Sequence, residues 1–149
     1  MRKILIYLFL VLAINVSASE IKWAKDFKTG MKEAQRFNKP VLFVSSRHTC
    51  KYCVMLEQKT FKDAQVISEL NSDFISIVSY SDENDYMPKE LWQPGTPAIW
   101  FLLPSGRPMY QPLMGFLNAK NFLGALSVVK KAYKKMNEKD KNDFYKLKK

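Results

Sequence analysis

The stretch that most constrains this chain is the junction between Val41-Leu42-Phe43-Val44 and His48-Thr49-Cys50-Lys51-Tyr52-Cys53. The first part is a continuous run of apolar β-formers, best read as a strand buried on both faces. Thr49 stands where it can cap a new helix, and the two thiols then sit at i and i+3 on that helix. Sulfurs at this spacing can close a disulfide across one helical turn. A redox pair is therefore the first reading, and it uses both of the chain's 2 cysteines.

Two other uses of the pair weigh less. A purely structural bridge between neighbours closes too small a loop to restrict the unfolded chain much. A metal site could recruit Cys50, Cys53 and His48 for copper or zinc, or make the chain a non-catalytic metal- or thiol-binding module. A closed zinc site wants four ligands, however, and the sequence holds 1 histidine. No metal is expected.

The rest of the chain supplies an α/β frame. Trp23, Phe27, Met31, Ala34 and Phe37 recur by threes and fours between Trp23 and Asn38, the period of an amphipathic helix, and Asn38-Lys39-Pro40 ends it. Val54, Leu56, Phe61, Val66, Ile67 and Leu70 continue a helical pattern interrupted near Thr60 to Asp63. After the break at Asn71-Ser72-Asp73, Phe74 to Tyr80 alternates as a second strand. Ser81 to Pro94 reads as a loop holding a short helical turn. Ala98 to Leu103 is a third strand, Pro104-Ser105-Gly106-Arg107 a turn, and Met109 to Leu113 its antiparallel return. Phe122, Leu126, Val129 and Tyr133 mark a last helix. Trp92 and Trp100 read as packing residues. No repeat or low-complexity linker divides the chain, so one domain is the economical reading.

Both ends stand apart from this frame. Arg2-Lys3, the apolar stretch Ile4 to Val16 and the small residues Val16-Ser17-Ala18 read as a secretory signal peptide over residues 1–18, cleaved after Ala18. The mature domain then covers 19–136, with a basic tail over 137–149. Losing Arg2 and Lys3 lowers the formal charge from +10 to +8, and residues 130–149 alone carry +6. The small remainder argues against a nucleic-acid-binding face. The tail's lysines offer a weak attraction to an anionic membrane surface.

The order helix, strand, Cys-x-x-Cys helix, strand, Thr96-Pro97 before a hairpin, Gly115 and final helix resembles the thioredoxin fold: a central mixed sheet flanked by helices, matched from about Trp23 to Met136. More narrowly, Cys50-Lys51-Tyr52-Cys53 followed by Thr60-Phe61-Lys62-Asp63-Ala64-Gln65-Val66 resembles the periplasmic thioredoxin-like reductases, among them the C-terminal domain of DsbD. The resemblance implies a periplasmic thiol–disulfide oxidoreductase without an organic cofactor, acting on cysteine-containing exported proteins and recharged by a membrane-bound redox partner. Cys50 would attack and Cys53 resolve. Lys51 and His48 would add positive field at Cys50, Pro97 would be cis, and Thr96 and Tyr52 would meet substrate. The chain departs from thioredoxin at Thr49, where the family has tryptophan, and at Val44, where it has a buried acid. Lys51-Tyr52 replaces Gly-Pro, and tyrosine at that position resembles periplasmic disulfide isomerases. The reductase direction is favoured, with isomerase and oxidase as alternatives.

Overall fold

A computed structural model describes residues 20–136. The expected signal peptide and the tail over 137–149 lie outside the described residues. The elements are α1 (Phe27–Phe37), β1 (Val41–Ser46), α2 (Lys51–Gln58), α3 (Ala64–Asp73), β2 (Ile75–Tyr80), β3 (Ala98–Leu102), β4 (Leu113–Met114) and α4 (Ala119–Lys135). Single 3-10 turns lie at Thr60–Lys62 and Lys89–Leu91. Among the described residues no helix is long and apolar enough to cross a membrane.

The strands form one sheet in the order β2-β1-β3-β4, parallel between β1 and β2 and antiparallel elsewhere. Alternation along a strand explains why β1 is apolar throughout. Leu42 and Val44 face α2, α3 and α4, together with Ile99 and Phe101 of β3 and with Leu56, Leu70 and Phe122. Val41 and Phe43 point the other way, into a second cluster with Ala34, Ile77, Trp100 and Leu102 under α1. This is the thioredoxin fold.

Several boundaries differ from those expected. Helix α1 begins at Phe27 because the Asp26 carboxylate caps it, accepting from the Thr29 N–H at 2.7 Å. Trp23 lies ahead of that cap, in an isolated parallel bridge to Ser76, with its ring edge-on to Phe61. Phe37, at the far end of the same pattern, is exposed. Asn71-Ser72-Asp73 does not break the chain, since α3 runs through it to Asp73. The return strand is shorter than Met109 to Leu113. Leu102 bridges Pro108 and Ile99 pairs with Leu113, so the returning chain carries extra residues that bulge out, including the exposed Tyr110. Pro108 and Pro112 have no N–H to give a continuous ladder. Trp92 is exposed, whereas Trp100 is buried and donates to the Leu91 carbonyl at 3.0 Å.

Gly30 marks the closest approach of α1 to the sheet. A Cβ there would lie 2.5 Å from both Cδ1 and Cγ1 of the fully buried Ile77. Gly30→Ala gains at most about 1 kcal/mol of helix propensity but overpacks a site that cannot open, at a cost of about 1–3 kcal/mol. The expected result is a lower urea midpoint at unchanged m-value; a raised midpoint would refute the packing argument.

Candidate functional site

Strand β1, an interior strand, ends at Ser46, and Arg47, His48 and Thr49 form an exposed turn between it and α2. Cys50 itself is the N-cap of α2, not Thr49: its sulfur accepts the Cys53 N–H at 3.2 Å. The sulfur thereby takes up one of the unpaired donors of the first turn, the place where the helix dipole favours an anion. Both cysteines are free thiols, Cys50 partly exposed and Cys53 buried at 1 %.

The Thr96–Pro97 peptide is cis, as the resemblance implied. It lies across from the motif: the Cys50 S–H donates to the Thr96 carbonyl at 3.3 Å. Pro97 is buried, and its carbonyl accepts from the Gly115 N–H at 2.9 Å. Gly115 has φ 82, a left-handed conformation that suits glycine, and so carries the chain out of β4 beside the proline. Cys50 and Thr96, far apart in sequence, are thus brought together. Tyr52 stands exposed on the motif at 55 %, and Lys51 is exposed beside it.

The two thiols differ electrostatically. Burial pushes the Cys50 thiol up, but hydrogen bonding to the Cys53 and Thr96 side chains and to the Cys53 and Tyr52 backbone outweighs it, leaving the pKa below its ordinary value. At Cys53 burial comes first, reinforced by the Cys50 sulfur, and the pKa is raised against the opposing bonds of Thr96, Ser46 and the Arg47 backbone.

His48 is held differently from the expectation of a free positive neighbour. Its ring stacks on Tyr80 at 4.1 Å, its Nδ1 lies 3.2 Å from Asp82 Oδ1, and its Nε2 lies 3.5 Å from Glu83 Oε1. Its backbone N–H donates to Asp82 as well, at 2.9 Å. Any charge on the imidazole is shared with two carboxylates, so the field it can lend to Cys50 is small.

Beneath Cys53 lies a polar cluster that the sequence reading missed. The Ser46 hydroxyl, on a residue 1 % exposed, donates to Glu57 Oε1 at 2.9 Å, and the Tyr80 hydroxyl donates to the same oxygen at 3.3 Å. Burial, and after it the charge of Glu57, push the Tyr80 phenol up to about 12. Two signals point to this cluster in the sequence: Ser45-Ser46 ends an otherwise apolar strand, and Glu57 stands one helical turn after Cys53 on the same face.

Comparison with known proteins gives a consistent picture. The family model Thioredox_DsbH, described as "Protein of unknown function, DUF255", matches residues 11–148. Among curated proteins, Anterior gradient protein 3 of Mus musculus is 27% identical over 88 residues, a match covering 58% of this chain but only 52% of that protein. A thioredoxin from Thermus thermophilus superposes with a TM-score of 0.63 at 22% identity, covering 74% of this chain and 87% of its own. A structure titled DsbH Oxidoreductase gives 0.61 at 12% identity, with 78% and 89% covered. The oxidised DsbD C-terminal domain of Neisseria meningitidis gives 0.55 at 23% identity, with 68% and 90% covered. At these identities the solved structures speak for the fold.

Proposed function

The chain belongs to the Thioredox_DsbH family, and on that premise we propose that it is a thiol–disulfide oxidoreductase working through Cys50 and Cys53. One observation carries the reading: the two thiols of one helical turn are made unequal, one partly exposed with a lowered pKa, the other buried with a raised pKa. Exchange needs that inequality. The thiolate is the attacking species, so the thiol that ionises more easily and meets solvent is the one to open a substrate disulfide. The buried thiol, already beside it, then resolves the mixed disulfide intramolecularly.

The step balances as two-electron chemistry. Cys50 thiolate attacks one sulfur of the substrate disulfide and releases the other as a thiolate. Cys53 thiolate then attacks Cys50, closing the Cys50–Cys53 disulfide and releasing the second substrate thiolate. Thr96 and the cis Pro97 are the natural shelf for an extended substrate segment, with Tyr52 as an exposed apolar contact. Lys51 adds a positive charge beside the attacking sulfur.

The substrates are cysteine-containing exported proteins, and the compartment is the periplasm. The leader-like residues 1–18 support this, as does the likeness to Dsb domains. Turnover in the reductase direction needs an electron supply, which a membrane-bound partner would provide. The Cys50/Cys53 reduction potential decides direction: a strongly reducing value supports the reductase, and an oxidising one assigns the chain to the oxidase or isomerase side.

A Cys53→Ser variant tests the mechanism. It is expected to accumulate covalent adducts through Cys50 that collapse on adding dithiothreitol, while a Cys50→Ser variant traps none. Absence of adducts, together with tight stoichiometric metal binding by the wild type, would replace the enzyme with a metal-binding module.

A further inference from the structure

On the face of the sheet away from the cysteine helix, α1 does not close fully against its neighbours. A cavity of about 890 Å³ lies between α1, the loop after β2 and the turn after β3. That is the size of a small-molecule site, and like such sites it is largely apolar, with Phe27 and Met31 on one wall and Tyr86, Pro88 and Leu91 on the other. The walls are pinned. The Phe27 ring meets Phe43 at 5.3 Å and Tyr86 at 5.6 Å, the Ser79 hydroxyl donates to the Tyr86 carbonyl at 2.9 Å, and Trp100 donates to the Leu91 carbonyl at 3.0 Å. Gln35 Nε2 donates to the Pro104 carbonyl at 3.2 Å and so fastens the turn to α1. A groove held in this way is formed before a ligand arrives, which keeps the ordering cost of binding small.

One end of the groove holds a group whose hydrogen bonding is unmet. Ser105 lines the cavity at 8 % exposure, and its buried hydroxyl has no hydrogen-bond partner among the described residues. Burying a hydroxyl in this state is costly and uncommon, and a ligand that supplied a partner would remove the cost. A positive charge stands at the same end. A Cβ on Gly106 would lie 3.8 Å from Met31 Cε, so the turn abuts the stretch of α1 that carries Met31, Lys32 and Gln35. Lys32 is exposed on the rim there, one helical turn from Lys28. Of the acids that also line the groove, Asp26 is engaged in capping α1 and Glu90 stands on the opposite wall.

We propose that this groove binds a free long-chain carboxylate, its head accepting hydrogen bonds from Ser105 and Lys32 and its alkyl chain lying between α1 and the loop that carries Tyr86, Pro88 and Leu91. The two polar groups call for the same kind of partner. A lysine ammonium can only donate, and a serine hydroxyl beside it is matched by an anionic acceptor with room for two donors, as a carboxylate has. The remainder of the ligand must be apolar and extended, because the lining runs along α1 from Phe27 to Gln35, about 12 Å of helix. Tyr86, 68 % exposed, would cover part of that chain from water. The site uses neither cysteine, so it stands apart from the exchange reaction.

Calorimetric titration of the purified protein with dodecanoate, kept below its micellar concentration, is expected to show saturable one-to-one binding. Dodecyltrimethylammonium, which has the same chain and a cationic head, and acetate, which has the head without the chain, should each bind at least about tenfold more weakly. Ser105→Ala should weaken dodecanoate binding about tenfold, the scale of one hydrogen bond to a charged acceptor. The same variant without ligand should keep or raise its urea midpoint, since the unpartnered hydroxyl is gone, and that measurement also shows that it is folded. Lys32→Gln should weaken binding about threefold and flatten its salt dependence. Non-saturating uptake, equal affinity for the cationic amphiphile, or wild-type affinity in either variant would overturn the proposal. Uptake of acyl chains only from phosphatidylglycerol vesicles would overturn it by making the groove a bilayer contact. Absence of binding together with self-association in sedimentation would overturn it in favour of a second copy of the chain.

Discussion

Replacing Cys50 by serine is expected to abolish disulfide exchange, with a loss on the order of 10³-fold or more, the scale seen when a nucleophile is removed. No other group can substitute, because Cys53 is buried and its thiol is pushed up by that burial. The pH dependence follows from the same geometry. Bonds from Cys53, Thr96 and the first-turn backbone hold Cys50 below the ordinary thiol value of 9.0. Its thiolate fraction therefore reaches one half at a lower pH, and reactivity falls as pH drops through that point. Alkylation of the wild type by iodoacetamide should show Cys50 half-reacting below pH 9.0, with Cys53 reacting only above it. In denaturant the two should converge on one ordinary value. Equal midpoints in the folded protein, or midpoints in the reverse order, would remove the assignment of attack to Cys50.

Phe122→Ala should destabilise the fold by about 3–5 kcal/mol, the usual cost of emptying a large buried aromatic site. A domain of this size commonly has only about 5–15 kcal/mol in total. Phe122 is 0 % exposed and meets Phe61 edge-on at 5.6 Å; Phe61 in turn meets Trp23 at 5.4 Å. This row of rings ties α4 to the 3-10 turn behind α2 and to the segment that leads into α1. The Thr60 hydroxyl, bonded to the Leu117 carbonyl, fixes the same turn from the other side. Because the turn follows α2 directly, the loss should extend to the end of the helix that carries the cysteines. Chemical denaturation measures the effect, and Phe122→Leu should cost clearly less because it fills most of the volume. A cost near zero for Phe122→Ala would mean that the site collapses freely and that the row carries little of the stability.

Much of the frame was legible because its signals are local. A continuous apolar run means a strand covered on both faces, and β1 is buried at every position. The 3.6-residue period picked out Phe122, Leu126, Val129 and Tyr133, and all four are the buried residues of α4. Periodicity also overreached: Trp23 fits the pattern of α1, yet the Asp26 cap excludes it from the helix. Thr49 looked like a cap by residue type, but the Cys50 sulfur reaches the Cys53 N–H instead. Trp92 was misjudged because aromatic character alone does not say which side of a loop faces water.

What the sequence determined by itself is the chemistry on offer: two thiols at helical spacing behind a buried strand, and a Thr-Pro step ahead of a hairpin. Those are matters of residue type and short-range order. Tertiary structure decided the rest, because it depends on which distant groups meet. Antiparallel pairing of β3 with β1 sets the Thr96 carbonyl against Cys50. Parallel pairing of β2 with β1 puts Tyr80 beside Ser46, and both hydroxyls find Glu57 on α2. The same pairing leads the loop after β2 to His48, where Asp82 and Glu83 hold it. Burial finally made Cys50 and Cys53 unequal, and burial belongs to the packed fold, not to the spacing of two residues in a chain.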